Sequence, residues 1–347
     1  MHEKRVLGWP SVKLVLTLRT RDQAAVVDAL VSFHLNSGVD FVIATDHQSQ
    51  DGTAEVLEAY EREGCLHLIR EEGEQARGAE WRTRMARMAA TDYGADWVIG
   101  ADGDEFWWPR GGSLKEVLAP VPERYGVVRC LVRPFVPRAD GDEFFAERMT
   151  VRLTPTAVIH DPTSPFRPTA KVAHRADPEV LVDRGSHGVA SARLRLLRSR
   201  FPIEVLHFPI RSATQLVEKH TAWHSQLIAR GVAQYSRAAG TVRPSEAERR
   251  FSTVALDEGG LSRALGRGVV AVDVRLRDAL RRLRLPEAKG VRRFALPREL
   301  DGPLQLPAPT LAEDAAHALD FSLLVDADAV RLMRRLDVFS ARLSSRL

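Results

Sequence analysis

The first hundred residues alternate between two hydrophobic periods. Val12 to Leu18 is a short apolar run that ends in the polar stretch Arg19-Thr20-Arg21-Asp22, which reads as a strand followed by a loop. From Ala24 to Asn36 the apolar positions Ala24, Val27, Leu30, Val31 and Leu35 fall on one helical face, and Gly38 closes the segment. Phe41 to Thr45 is a second strand. A second helix is expected from about Ala54 to Glu63, with Val56, Leu57 and Tyr60 turned inward and Asp51 or Thr53 as its N-cap. Leu66 to Ile69 forms a third strand, a long helix covers roughly Gln75 to Thr91, and Trp97 to Ala101 is a fourth, wholly apolar strand.

Strand and helix alternating at this spacing predict right-handed βαβ units, and hence an α/β fold with a mainly parallel sheet flanked by helices. The loops after the first, second and fourth strands would share one sheet edge and gather Thr17, Arg19, Asp46, Asp51, Asp102 and Asp104 into a cleft. Beyond Gly111 the pattern changes. Tyr125 to Val132, Met149 to Leu153, Lys171 to Ala173 and Glu204 to Phe208 read as strands among loops rich in Pro and Asp, and Thr214 to Ile228 as a helix. The division expected is a main domain over 1–228 and a mostly helical extension over 229–347. That extension is interrupted by the linker-like Pro303 to Pro309 and closes with an arginine-bearing amphipathic helix from Ala327 to Leu347.

Composition narrows the class. Among 347 residues no run approaches the roughly 18 apolar residues that span a bilayer, and Met1 to Arg5 does not open a signal-type apolar stretch. Cys65 and Cys130 both lie in apolar segments and are expected to be free thiols. Together these features lead to the expectation of a cytoplasmic prokaryotic protein. The net charge of +4 is carried mainly by arginine, but acids and bases interleave through the first 230 positions, so no basic stripe for nucleic acid is present. The final helix suits either contact with an anionic membrane face or packing onto the rest of the chain. Packing is the favoured reading, because Asp326, Asp328 and Asp337 dilute its positive face.

The candidate chemistry sits at the end of the fourth strand, in Asp102-Gly103-Asp104-Glu105-Phe106. Two carboxylates one residue apart repel each other unless a cation lies between them, and hard oxygen ligands suit Mg2+ or Mn2+, ions that commonly bridge to phosphates. The alternative is a solvated acidic turn.

These residues, together with Asp46 to Thr53 (ending in Asp51-Gly52-Thr53) and Gly94-Ala95-Asp96-Trp97, resemble a family 2 glycosyltransferase. The resemblance is to the bacterial branch with an Asp-x-Asp-Glu-Phe motif. It covers about the first 110 residues. Lys171 to Arg175, Gly185-Ser186-His187, and Leu206-His207-Phe208 with Arg211, Ser212 and Lys219 are similar less specifically. The resemblance implies the GT-A fold, a nucleotide-diphosphate sugar donor, a divalent metal (Mn2+ or Mg2+) and an acceptor hydroxyl on a saccharide, a lipid-linked molecule or a small molecule. By the same resemblance Thr17 and Arg19 would line the nucleotide pocket, Asp46 would accept from the base, Asp102 would lie near ribose and metal, and Asp104 would hold the metal. His207 would complete the ligand set, with His187 as the other candidate. One of Arg77, Arg82 and Arg84 would add positive charge near the phosphates. The catalytic base of an inverting enzyme would come from Asp140, Asp142, Glu143 or Glu147, with Asp183 further off. Trp107 and Trp108 would offer a platform to a sugar or wedge the loop onto the core. His47 departs from the pattern of the second loop. A nucleotidyltransferase-like enzyme or a non-catalytic sugar-nucleotide-binding protein is the alternative, although Leu18 to Asp22 contains no glycine to cradle a phosphate.

Overall fold

The computed structural model describes residues 12–72, 77–138, 143–154, 170–197, 202–215, 249, 251–252, 255–288, 291–302 and 304–307. Its first unit is β1 (Leu14–Thr20), α1 (Ala24–Asn36), β2 (Phe41–Asp46), α2 (Thr53–Arg62), β3 (Leu66–Arg70), α3 (Gly78–Thr91) and β4 (Trp97–Asp102). It continues with β5 (Glu105–Pro109), α4 (Leu114–Leu118), β6 (Val127–Pro134), α5 (Phe145–Arg148), β7 (Val151–Leu153) and β8 (Ala170–Arg175). Then come β9 (Leu181–Val182), β10 (Val189–Ala190), β11 (Leu196–Leu197) and β12 (Ile203–His207). The described part of the C-terminal region adds α6 (Glu258–Gly266), β13 (Val270–Val272), α7 (Arg275–Leu283) and the hairpin β14 (Arg284–Ala288) and β15 (Val291–Phe294).

The main sheet runs β3-β2-β1-β4-β8-β6-β12-β5, with β11 beside β6. β1, β2, β3 and β4 pair in parallel, as do β6 with β12 and with β11. β8 lies antiparallel between β4 and β6, and β5 runs antiparallel to β12. The expectation of a mainly parallel sheet flanked by helices is met. Strand periodicity then decides what each side chain faces. Leu14, Leu16, Leu18, Val42, Ala44, Ile99 and Ala101 join the larger core with α1, α2 and α4. Val15, Ile43 and Val98 meet Met85, Ala86 and Ala89 of α3 on the opposite face. Burying Trp81 and Met85 is worth about 1.5–3 kcal/mol each, enough to hold α3 in place on its face.

Two local features differ from expectation. The N-cap of α2 is Gly52, in the left-handed region at φ 94°, and neither Asp51 nor Thr53 occupies it. Asp51 still serves that end, because its Oδ1 accepts from Thr53 N at 3.1 Å while its Oδ2 accepts from Ala24 N at 2.9 Å, at the start of α1. The described part of the Pro303 to Pro309 stretch is not a detached linker: Leu304 and Leu306 are buried, and Leu306 bridges to Gly112.

The region from α7 to Leu306 shares the main core. Leu276, Ala279, Leu280, Leu283, Phe294 and Leu296 cluster with the residues of α1, and Ser32 Oγ and Asn36 Nδ2 both donate to Ala295 O, at 2.6 and 2.9 Å. Cys65 and Cys130 are free thiols, as expected. Among the described residues no helix is long and apolar enough to cross a membrane. The helices expected over Thr214 to Ile228, past Gln215, and over Ala327 to Leu347 lie outside the described residues, as do Asp140 and Asp142.

Candidate active site

β1 has β2 on one side and β4 on the other, so the winding of the sheet reverses between β1 and β4. In open α/β sheets the crevice beyond the carboxyl ends at such a point is where ligands bind. β4 ends there in Asp102, Gly103 and Asp104 make the turn, and β5 begins with Glu105. Gly103 is needed for close packing: a Cβ on it would lie 2.7 Å from Gln23 Cγ, in the loop after β1. That loop is in turn laced to the loop after β2, with Asp22 N donating to Ser49 Oγ at 2.9 Å and Gln50 N to Asp22 Oδ1 at 2.8 Å.

The antiparallel pairing of β12 with β5 sets His207 directly opposite Glu105. Phe208 N donates to Asp104 O at 2.9 Å, which fixes the turn against the end of β12. One ligand atom each from Asp104, Glu105 and His207 lies within 4.8 Å of the others, and His207 Nε2 is 3.6 Å from Asp104 Oδ1. Asp104 and Glu105 are buried. Two carboxylates and an imidazole within this span are a donor set that fits Mn2+ or Mg2+.

Asp102 has a different environment. Its Oδ1 accepts from Arg82 Nη2, and its Oδ2 from Lys171 Nζ at 3.0 Å. Lys171, on β8, is 1% exposed and also pairs with Glu105 Oε2, which accepts from Asp102 N at 2.9 Å as well. Burial works to raise the Asp102 pKa, but Lys171 and Arg82 outweigh it and hold the carboxyl far below the usual range. Glu105 goes the other way: burial, with Asp102 and Asp104 nearby, pushes it up to about 7 against the pull of Lys171. Burial also pulls Lys171 down, yet Asp102 and Glu105 more than compensate, and its pKa is raised.

Arg19 lies over the Trp81 ring at 5.7 Å, and burial and then Arg82 lower its pKa against the opposing effect of Asp102. Its Nε has no hydrogen-bond partner among the described residues. Of the three arginines in the α3 region, Arg82 meets the acids, while Arg77 pairs with Glu80 and Arg84 with Glu71. Thr17 sits further back, in mid-strand. Its Oγ1 donates to Ile99 O at 3.3 Å, beside a cavity of about 10 Å³ lined also by Gly100, His174 and Ser186. Asp46 falls on the opposite parity of β2 and accepts from Ser49 N at 3.2 Å, so its own loop takes up the carboxylate.

The structure therefore brings Asp102, Asp104, His207 and Arg19 to one crevice, and leaves Thr17 and Asp46 behind it or bound within its wall. Glu147 of α5 is held by Arg281 of α7, whose Nε lies 3.1 Å from both carboxylate oxygens. Glu143 is exposed, and Asp142 lies outside the described residues. His187 is exposed, with Nδ1 2.8 Å from Ala170 O. Asp183 heads a short 3-10 turn at 184–186. Trp107 and Trp108 are core residues, both fully buried, and Trp108 stacks on Phe33 at 5.8 Å. They offer no platform to a sugar.

Lys171 and Glu105 are the site residues to which sequence reasoning gave no role, although both lie in segments that carry the resemblance. The partners of Lys171 depend on β8 lying beside β4, which no local pattern states.

No family model and no curated protein matches the chain. Solved structures do show similarity. Staphylococcus aureus TarS 1–349 in complex with UDP is 13% identical with a TM-score of 0.35, over 86% of this chain and 100% of that one. The longer S. aureus TarS is 14% identical with a TM-score of 0.31, and this chain spans only 36% of its length, matching over 56% of its own. Glucosyl-3-phosphoglycerate synthase from Mycobacterium tuberculosis, in complex with Mn2+, UDP and glucosyl-3-phosphoglycerate, is 19% identical with a TM-score of 0.25, over 37% of this chain and 44% of that one. Likenesses at these scores do not assign an activity to this chain.

Proposed function

We propose that the chain is a divalent-metal-dependent glycosyltransferase of the GT-A kind, which moves a sugar from a nucleotide-diphosphate donor to an acceptor hydroxyl with inversion. The observation that carries this reading is the convergence of Asp104, Glu105 and His207 at the crevice between β1 and β4, with Asp102, Arg82 and Arg19 beside them. Asp104 and His207, with Glu105, would hold the ion. Asp102 would lie on the ribose side, and Arg19 and Arg82 would supply positive charge towards the phosphates. Thr17 and Asp46 would shape the nucleotide pocket from behind and from its wall. When bound, the ion supplies charge to offset what develops on the departing diphosphate.

In the reaction the acceptor oxygen forms a bond to the anomeric carbon, the bond from that carbon to the phosphate oxygen breaks, and the hydroxyl proton passes to a base. Asp142, Glu143 and Glu147 are the acids assigned to that base. Glu147 is kept in place by Arg281, and Phe145 of the same helix packs against Phe106 and Phe208.

The test is thermal stability with a panel of nucleoside diphosphates and nucleotide sugars, each with and without Mn2+. A ligand that binds the native state raises the melting temperature by mass action. A metal-dependent rise with one nucleotide, absent in Asp104→Asn, is the expected result. No rise with any member of the panel would refute the reading.

A further inference from the structure

Asp102 and Asp104 are one residue apart, yet their surroundings are not equivalent. Each oxygen of Asp102 already accepts from a buried cation, Oδ1 from Arg82 and Oδ2 from Lys171. A metal ion seated on Asp102 would have to share the carboxylate with both cations and meet their repulsion at close range. Moving either cation aside would leave a buried side chain without its counter-charge, which is strongly unfavourable. Lys171 has little room to move away, being 1% exposed and entering from the middle of the sheet. Its Nζ lies between Asp102 and Glu105 and pairs with both. A divalent ion in that gap would face an ammonium group at contact distance. The three residues whose ligand atoms do converge are Asp104, Glu105 and His207; Glu105 meets Lys171 and Asp102 N through Oε2, which leaves Oε1 to an ion, whereas both oxygens of Asp102 are engaged by cations.

We propose that Lys171 is a positioning residue that withdraws Asp102 from the metal-binding set and confines a divalent ion to Asp104, His207 and Glu105. The inference rests on the metal-dependent reading above and deepens it by dividing the labour of the acidic pair. Asp104 serves the cation. Asp102 is an internal counter-ion that orients Arg82, and the Lys171 ammonium occupies the place of a second ion. Metal affinity is then set against a fixed positive charge, so removing that charge should strengthen binding, whereas loss of a merely structural lysine would weaken it or leave it unchanged.

The experiment is titration of the full chain with Mn2+ alone, following the electron paramagnetic resonance signal of the free ion, with circular dichroism to verify folding. Asp104→Asn should weaken binding by more than about tenfold, and Asp102→Asn should change it by less than about threefold. Lys171→Met should tighten it on the order of tenfold, and Lys171→Arg should stay close to the unaltered protein. Where Lys171→Met does not fold, the double variant Asp102→Asn/Lys171→Met removes both partners at once, and it should bind Mn2+ on the order of tenfold more tightly than Asp102→Asn alone, no gain over that single variant overturning the inference. The inference is overturned if Asp102→Asn weakens Mn2+ binding as much as Asp104→Asn does, or if a folded Lys171→Met binds no more tightly. In either case the metal-dependent reading would stand. An unaltered chain that binds no Mn2+, with or without a nucleoside diphosphate, overturns both.

Discussion

His34 gives the sharpest quantitative prediction. It lies on α1 and is fully buried, with Nδ1 2.8 Å from Leu30 O and Nε2 accepting from Trp107 N at 3.1 Å. These contacts fit one neutral tautomer, with the proton on Nδ1. Protonating Nε2 would turn it towards another N–H and break the link between α1 and β5, the strand that opens with Glu105. Burial lowers the pKa to about 4 from 6.5, against the opposing effect of the Leu30 carbonyl. Between those values the unfolded chain takes up a proton that the folded chain refuses, so stability is complete above about pH 6.5 and falls as the pH drops towards 4. A shift of this size corresponds to about 3 kcal/mol in full, of which about 2 kcal/mol is lost between pH 8 and pH 5. Urea unfolding of the unaltered protein and of His34→Gln at both pH values isolates this contribution, because Glu105, Asp28 and every other titrating group appear in both proteins. The variant should be less stable by about 1–3 kcal/mol at pH 8 through its weaker hydrogen bonds. Its stability should then approach that of the unaltered protein by about 2 kcal/mol at pH 5. A gap that stays constant across that range would refute the assignment of His34 as a neutral strut.

Three further outcomes rest on particular contacts. Gly103→Ala forces Gln23 aside and with it the 2.6 Å bond from Arg211 Nη2 to Gln23 Oε1; thermal denaturation should show a loss of about 1–2 kcal/mol, partly recovered in Gly103→Ala/Gln23→Ala. Glu204, 0% exposed, is bound by Arg133 at 2.8 Å and by Arg275 at 2.8 Å, so Glu204→Gln should cost about 3–5 kcal/mol in urea unfolding by leaving buried guanidinium charge unmatched. Trp108→Ala should cost about 3–5 kcal/mol, since the ring fills the core between Phe33 and Arg275, and any nucleotide binding found by thermal shift should survive it at a temperature where the variant is folded.

The parallel half of the fold is legible because it is local. Helix faces such as Ala24 to Asn36, and apolar strands such as Trp97 to Asp102, announce themselves within a dozen residues, and βαβ handedness does the rest. The acids at the end of β4 are legible for the same reason. What local pattern does not state is everything set by pairing across distance, even where the family resemblance names the residue, as it does His207. His207 meets Glu105 only because β12 runs antiparallel to β5, and Lys171 meets Asp102 only because β8 inserts beside β4. Parity is a subtler loss. Asp46 and Arg19 both stand at strand ends on one edge, but on strands of known register they face opposite sides of the sheet. Trp107 and Trp108 come immediately after the acids, yet β5 is buried on both faces, so adjacency to a site in sequence does not bring exposure to it.

The hydrogen bond from Ser32 to Ala295 spans 263 positions, and it closes the same core that receives α1. On a ribosome adding about 5–20 residues per second, α1 emerges some 13–50 seconds before the segment that covers it. Through that interval its outward apolar face has no cover from α7 or β15. The early sheet can form its parallel pairs meanwhile, but it cannot be finished from the amino-terminal side alone. A nascent chain halted near residue 228 should therefore remain sensitive to protease and prone to chaperone capture, and it should become resistant only once the strand ending at Phe294 and the extended piece at Leu304 to Leu306 have left the exit tunnel.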